Sequence, residues 1–295
     1  MSKRRIEESE LIINSDGSVF HLHLKPGEIS DKIILVGDPG RVEMIASYFD
    51  SVEVRAENRE FKSVTGTFKG ARLTVVSTGI GTDNIDIVVT ELDALANIDF
   101  ATRTEKDEHT TLNFVRIGTS GSLQPDLEVG TWLLSEAAIG FDGLLNFYAN
   151  RKNVTDNDFE KSFKEYTQWN PLLTSPYVVD GSPRLIAAIN CSDAVKLGTT
   201  ISAPGFYGPQ GRVVRLPLAD PDINAKISSF RYGQRRITNY EMECSAIYGL
   251  SKLLQHNAAT VCVIIANRAA KNANADYKPF VRMLIEHVLN CLSKL

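Results

Sequence analysis

Four times this chain runs from a compact apolar stretch into a turn rich in glycine, and that repeated step limits the fold more than any other feature of the sequence. Lys32-Ile-Ile-Leu-Val-Gly37 leads into Asp38-Pro-Gly-Arg41, and Ala71-Arg-Leu-Thr-Val-Val-Ser-Thr78 leads into Gly79-Ile-Gly81. Phe114-Val-Arg-Ile-Gly-Thr-Ser-Gly-Ser122 contains its own turn, and Val195-Lys-Leu-Gly-Thr-Thr-Ile-Ser-Ala203 leads into Pro204-Gly-Phe-Tyr-Gly-Pro-Gln-Gly-Arg212. Short apolar runs bounded by turn signals read as buried strands of a largely parallel sheet. Helical patterns follow them: Val42, Ile45, Ala46 and Phe49; then Ile85, Val88, Val89, Leu92 and Leu95; later Ala246, Ile247, Leu250 and Leu254. Strands alternating with helices imply an α/β fold, an α/β/α sandwich around a central mixed, largely parallel sheet, with ligands at the carboxyl edge of the strands.

The 295 residues suit one large domain, expected over 20–295 behind a loose polar arm over 1–19. Phe20-His-Leu-His-Leu24 alternates like a short edge strand. The segment 101–111 reads as a solvated excursion, and Asn150 to Tyr177, which shows no sustained period, as a long one. Apolar residues at 43% and charged residues at 23% exclude a disordered or fibrous class. A formal charge of −4 argues against nucleic acid as a partner. No apolar run approaches the ~20 residues that span a bilayer. The first ten residues turn acidic where a signal peptide needs its apolar core, so a cytoplasmic protein is expected. Cys191, Cys244, Cys262 and Cys291 are expected to be reduced core thiols. The five histidines show no HExxH and no pairing with Cys at metal-ligand spacing, so no metal is expected.

The strand ends carry chemistry suited to anions and sugars. Gly118 and Gly121 let backbone N–H groups approach a ligand, Thr119 and Ser120 add hydroxyls, and Arg116 adds a planar cation. Gly37 and Arg41 stand beside a helix N-terminus, where free N–H groups attract anions. Arg41, Arg59 and Arg116 with Thr119 would suit a doubly charged phosphate, at roughly 1.5–3 kcal/mol per charge-assisted hydrogen bond. The bland reading of each arginine taken singly is a surface ion pair. Glu241 and Glu243, two apart in an extended segment, share a face and suit a vicinal diol such as a ribose. Gln210 and Arg212 follow an aromatic pair and could read the polar edge of a flat ring stacked on Phe206 or Tyr207; alone, they would read as a surface loop. Together these groups describe a nucleoside plus phosphate.

The chain resembles the nucleoside phosphorylases of the trimeric and hexameric family, most of all its uridine phosphorylase branch. The resemblance rests on Phe20-His-Leu22, Val36-Gly-Asp-Pro-Gly-Arg41, Asn58-Arg-Glu-Phe61, Ser77-Thr-Gly-Ile-Gly81, Val115-Arg-Ile-Gly-Thr-Ser-Gly121, Phe206-Tyr-Gly-Pro-Gln-Gly-Arg212, Asn239-Tyr-Glu-Met-Glu243 and Ala266-Asn-Arg268, which span roughly 20–270. It implies the phosphorylase/hydrolase-like fold and reversible phosphorolysis of uridine to uracil and ribose 1-phosphate, with phosphate as co-substrate and no cofactor. It implies that Gly37, Arg41, Arg116 and Thr119 hold phosphate, with Arg59 and His21 supplied by a neighbouring subunit. Met242 and Glu243 would hold the ribose with Glu241 in support, and Phe206, Gln210 and Arg212 would surround the uracil, which makes Arg116, Gln210, Arg212 and Glu243 the expected catalytic set. The implied assembly is a homo-oligomer with a dimer as the active unit, the hexamer of three dimers staying open.

Three features depart from that pattern or bear on it. Gly208-Pro209 changes the approach to Gln210, and the excursions at 101–111 and 150–177 are long for the family. A purine nucleoside phosphorylase or nucleosidase would share the fold, but such enzymes commonly place an Asp where this chain has Asn267, which cannot protonate a purine. A non-catalytic nucleoside-binding or storage relative should have lost some of the Arg and Glu set, all of which is present here.

Overall fold

The computed structural model describes residues 3–274 and 276–295, so the first two residues of the expected arm lie outside it. In chain order the elements are β1 (Lys32–Val36), α1 (Pro39–Ala46), β2 (Ser51–Asn58), β3 (Phe61–Phe68), β4 (Ala71–Ser77), α2 (Thr82–Asn97), β5 (Ile98–Asp99), β6 (Thr104–Glu105) and β7 (Asn113–Ser122). There follow β8 (Trp132–Gly140), α3 (Asn157–Thr167), β9 (Tyr177–Asp180), α4 (Pro183–Ile189), β10 (Val195–Ser202), α5 (Ile223–Ser229), β11 (Arg231–Tyr232), β12 (Arg235–Glu241), α6 (Cys244–Leu253), β13 (Asn257–Asn267), β14 (Asn272–Ala273) and α7 (Lys278–Leu292).

The main sheet runs β11-β12-β10-β8-β13-β7-β1-β4-β3-β2, with parallel pairing at β1/β4, β1/β7, β7/β13, β8/β10 and β10/β12. The mixed, largely parallel α/β fold of the apolar runs is therefore the observed one. One pairing goes beyond it. The end of β12 also lies antiparallel against the end of β7, Asn239 opposite Ser122 and Tyr240 opposite Gly121, so β7, β13, β8, β10 and β12 close on themselves. Closure carries the residues that follow β12 across to β7, although the two are more than a hundred residues apart in the chain.

Helices cover both faces because their apolar stripes match the sheet. Ile85, Val88, Val89, Leu92 and Leu95 of α2 join Ala246, Ile247 and Leu250 of α6 in one core with Ile33 and Leu35 of β1. Val42, Ile45 and Ala46 of α1 join Val281, Leu284, Ile285, Val288 and Leu289 of α7 in the other, against Ile34 and Val36 of the same strand. Alternation along β1 thus feeds both cores, as a strand buried on both faces requires. Each fully buried aliphatic side chain contributes roughly 1.5–3 kcal/mol before conformational entropy is charged against it. Among the described residues no helix is long and apolar enough to cross a membrane.

Three segments depart from the expected elements. The turn expected inside Phe114–Ser122 is strand instead, since β7 runs unbroken to Ser122 with Gly118 to Ser122 paired to β13. Phe20–Leu24 forms no strand: residues 20–22 are a turn, in which the N–H groups of His21 and Leu22 bond to the Glu91 carboxylate, and that of His23 bonds to the Val19 carbonyl. The stretch 150–177 contains α3: Asp156 accepts from the Phe159 N–H at 2.9 Å as N-cap, and Phe159, Phe163 and Thr167 form a buried i, i+4, i+8 stripe on an otherwise polar helix. Of the four cysteines, Cys244, Cys262 and Cys291 are buried, but Cys191 is exposed and so is not a core thiol.

Candidate active site

The centre of the site is an arginine inside a strand. Arg116 lies on β7 between β1 and β13, fully flanked by backbone, and is buried. An unpaired guanidinium there would cost several kcal/mol. Two carboxylates delivered by the end of β12 remove that cost: Glu243 pairs directly with Nη2, and Glu241 Oε2 lies 3.4 Å from Nη1. Nη1 also meets Cys262 Sγ at 3.3 Å. Burial opposes the Arg116 charge, but Glu243 and Glu241 outweigh it and raise its pKa. Gly118 is a steric necessity here, since a Cβ would run into Arg116 Nη1 and come within 2.8 Å of Cys262 Sγ. Among the described residues the Nε N–H of Arg116 and the Ser120 hydroxyl are buried with no protein partner.

Both carboxylates are themselves fixed by backbone. Glu243 accepts from the Gly81 N–H at 2.9 Å, and Gly81 holds φ at +99°, which few residues other than glycine adopt. Glu241 accepts from the Ser202 hydroxyl at 2.6 Å and from the N–H groups of Glu243 and Cys244 at the start of α6. Burial pushes Glu241 up to about 7; Arg116 pulls it down, and Glu243 adds to the rise. Burial also pushes the Cys262 thiol up to about 12, so it stays neutral beside the arginine.

Arg41 enters from the first turn of α1, where Asp38 caps the Gly40 N–H at 2.8 Å, and its Nη1 donates to the Ile117 carbonyl at 3.1 Å. Burial, and then the charge of Arg116, lowers its pKa. Gly37 abuts the next turn, for a Cβ on it would stand 3.3 Å from the Gly79 carbonyl. Thr119 is partly exposed on β7, opposite Val263. Gly37 and Arg41 follow the end of β1 beside the β7 residues Arg116 and Thr119, and Glu241, Met242 and Glu243 come to the same strand through the β12–β7 pairing.

A second polar group sits on the same rim. Gly208-Pro209 opens a 3-10 turn over Gly208–Gln210 that carries Gln210 into a buried position. Gln210 Oε1 accepts from Arg212 Nη1 at 2.7 Å and from Arg268 Nη2 at 2.8 Å, while Arg268 Nη1 bonds the Gln210 carbonyl. Arg212 stacks 3.7 Å over the half-exposed Phe206 ring, and Arg268 lies 4.8 Å over Tyr240. Burial and then Arg212 lower Arg268 to about 10. Arg268 is not among the site residues expected from sequence. It follows β13 directly, so the rule that function gathers at strand ends would have flagged it. A Cβ on Gly121 would stand 3.5 Å from Arg268 Nε, which makes Gly121 the point where the two polar groups meet.

Two expected residues stand apart. Arg59 is exposed at the β2–β3 turn with φ at +55°, and His21 Nδ1 is 2.6 Å from Glu91 Oε1. Among the described residues neither hydrogen-bonds a member of the Arg116 cluster, but Asn58 donates to the His21 carbonyl at 2.9 Å, so the two lie on one patch. Asn267 braces the backbone around it. Its Nδ2 donates to the Gln124 and Leu127 carbonyls at 3.0 and 2.8 Å, and its Oδ1 accepts from the Ala270 N–H.

Residues 31–295 match the phosphorylase superfamily. A uridine phosphorylase of Thermococcus kodakarensis is 29% identical over 259 residues, covering 86% of this chain and 79% of its own. A DeoD-type purine nucleoside phosphorylase of Streptococcus suis is also 29% identical, over 257 residues, 87% of this chain and 89% of its own. Among solved structures, a Trypanosoma brucei nucleoside phosphorylase described as showing uridine phosphorylase activity superposes with a TM-score of 0.88 at 30% identity, over 97% of this chain and 100% of that one.

Proposed function

The chain belongs to the phosphorylase superfamily, and from that premise we propose that it is a pentosyltransferase catalysing the reversible phosphorolysis of uridine to uracil and ribose 1-phosphate. The observation that carries this reading is the single rim on which Arg116, the Glu241 and Glu243 pair and the Gln210, Arg212 and Arg268 group converge. Phosphate belongs with Gly37, Arg41, Arg116 and Thr119. The ribose hydroxyls belong with Met242 and Glu243, held by Glu241, and the uracil with Phe206, Gln210, Arg212 and Arg268.

As the glycosidic bond lengthens, the sugar gains positive charge and the leaving ring negative charge. Phosphate beneath the sugar stabilises the first, and donors from Gln210, Arg212 and Arg268 stabilise the second, in a site where burial strengthens both effects. Holding nucleoside and phosphate together makes the attack effectively unimolecular. Phosphate is consumed as a substrate, and no step needs a cofactor.

The domain is read as one unit over 20–295 behind the arm 1–19, in a cytoplasmic protein. A dimer is the active unit: Arg59 and His21, which among the described residues hydrogen-bond no member of their own chain's cluster, complete a partner's phosphate site. The shared anchoring of this pair through Asn58, and the positive φ of Arg59, support this. The purine reading, favoured by the Streptococcus suis relative, lacks an acid, since Asn267 cannot protonate a base and both ends of its amide are engaged.

Initial rates over uridine, deoxyuridine, thymidine, cytidine and inosine, each with and without phosphate, test the reading. Uridine cleavage only with phosphate supports it; faster cleavage of inosine transfers the site to purines.

A further inference from the structure

Three side chains with soft donor atoms meet at the opposite end of the sheet. Cys191 lies in the connection before β10, whose other end supplies Ser202 to Glu241, so the eight residues of that strand place roughly 25 Å between the two places. His287 and Cys291 stand one turn apart on α7. Cys191 Sγ is 3.6 Å from Cys291 Sγ, Cys291 Sγ is 3.7 Å from His287 Nε2, and all three atoms lie within 4.8 Å of one another. We propose that Cys191, His287 and Cys291 bind one zinc ion, clasping the α4–β10 connection to α7.

The spacing follows from the ion. Zinc–sulfur bonds of about 2.3 Å and zinc–nitrogen bonds of about 2.05 Å at tetrahedral angles put two ligand sulfurs about 3.8 Å apart and sulfur and nitrogen about 3.6 Å apart. The two short edges of the triangle, 3.6 and 3.7 Å, fit those values. The third, from Cys191 to His287, closes by turning the exposed Cys191 side chain. A bond between the two thiols alone would need sulfurs about 2.05 Å apart. The histidine–cysteine pair at i, i+4 is a ligand spacing the sequence does contain, contrary to the expectation that no His pairs with a Cys in that way.

His287 Nε2 donates to the Ile189 carbonyl at 2.8 Å. Loading exchanges that N–H···O bond for a nitrogen–zinc bond, the imidazole proton moves to Nδ1, and the two thiols give up their protons to solvent. About two protons therefore leave per zinc bound. Cys191 borders an open hollow formed with Asn190, Ser192, Asp193, Val195 and Lys196, which offers an entry path and space for water as fourth ligand. The Trp132 ring lies 5.3 Å from that of His287 and reports on it.

The test is titration of chelator-stripped, reduced protein with zinc chloride alone, beside Cys191→Ser, whose exposed position keeps the fold intact. The expected result is one zinc per chain, about two protons released, a change in tryptophan fluorescence and a Tm higher by about 5 °C or more at saturation. Cobalt in place of zinc should show the strong visible band of tetrahedral coordination with thiolate charge transfer. Cys191→Ser should weaken zinc by about 10²-fold or more while uridine phosphorolysis stays unchanged. Equal affinity in Cys191→Ser overturns the proposal, because the ion then sits elsewhere, for instance at the Asp93, His109 and His256 group. No stoichiometric binding, or a Cys191–Cys291 disulfide in zinc-saturated protein, overturns it as well.

Discussion

The Arg116 guanidinium is held by the Glu243 carboxylate, whose other oxygen accepts the Gly81 N–H at 2.9 Å. One glutamate thus ties β7, the turn after β4 and the start of α6 to a single charge. Arg116→Ala should lower phosphorolysis by about 10²-fold or more at saturating phosphate. It should also cost about 3–5 kcal/mol of stability, because it strands buried carboxylates without a counter-charge. The Arg116→Ala/Glu243→Gln double variant removes one of those charges, so it should regain part of the lost Tm and none of the activity. Thermal melts and rates on the three proteins decide the matter; a single variant with less than a threefold rate loss contradicts the assignment.

Glu241 should be visible in the pH dependence of stability. Its folded pKa of about 7 lies above the ordinary 4.5, chiefly through burial. The stability linked to it is therefore fully present below about pH 4.5 and is lost as pH rises through about 7. Glu241→Gln abolishes the titration and imposes a constant cost, since an amide cannot accept from Ser202, Glu243 and Cys244 together. The Tm advantage of the parent over Glu241→Gln should narrow between about pH 5 and pH 8. An advantage that widens over that range contradicts the raised pKa.

The proposed base end predicts selectivity. Gln210 offers a donor and an acceptor, and two arginines converge on it, a match for the imide and carbonyls of uracil. Cytosine sets a donor against donors, and a site built for hydrogen bonds rejects such a partner by about 10⁴-fold. Arg212→Ala and Arg268→Ala should each cut kcat/KM for uridine by about 10²-fold while the KM for phosphate changes by less than about threefold. Steady-state kinetics in both substrates separate the outcomes; a loss confined to phosphate KM would move these arginines to the other half of the site.

The parts that sequence made legible are local ones. The apolar runs of β1, β4, β7 and β10 can be read without a partner, and so can the turns after β1, β4 and β10; the turn expected inside Phe114–Ser122 does not form, because β7 stays paired to β13 through Ser122. Arg268 stands at a strand end that the same rule would flag, but its role lies with Gln210 and Tyr240, which are distant in sequence and meet it only in the fold. The helix α3 escapes a local reading because its buried stripe is only Phe159, Phe163 and Thr167 amid polar residues. Phe20–Leu24 misleads because alternation describes a strand only where N–H groups find a ladder, and here they find Glu91.

Assembly is open to a complementation experiment. If Arg59 serves a partner's site and Arg116 its own, Arg59→Ala and Arg116→Ala proteins are each impaired, but some sites in mixed dimers carry neither lesion. Co-refolded mixtures should recover part of the parental activity. A fully active monomer by light scattering, or mixtures no more active than the average of the two variants, contradicts the shared site.

The most direct measurement follows phosphate itself. Uridine and inorganic phosphate are incubated with the purified protein, and uracil, ribose 1-phosphate and remaining phosphate are quantified together. The account predicts that uracil appears only when phosphate is present, in a one-to-one ratio with ribose 1-phosphate formed and phosphate lost, and that uracil with ribose 1-phosphate regenerates uridine. Uracil released with free ribose, at a rate indifferent to phosphate, would contradict it.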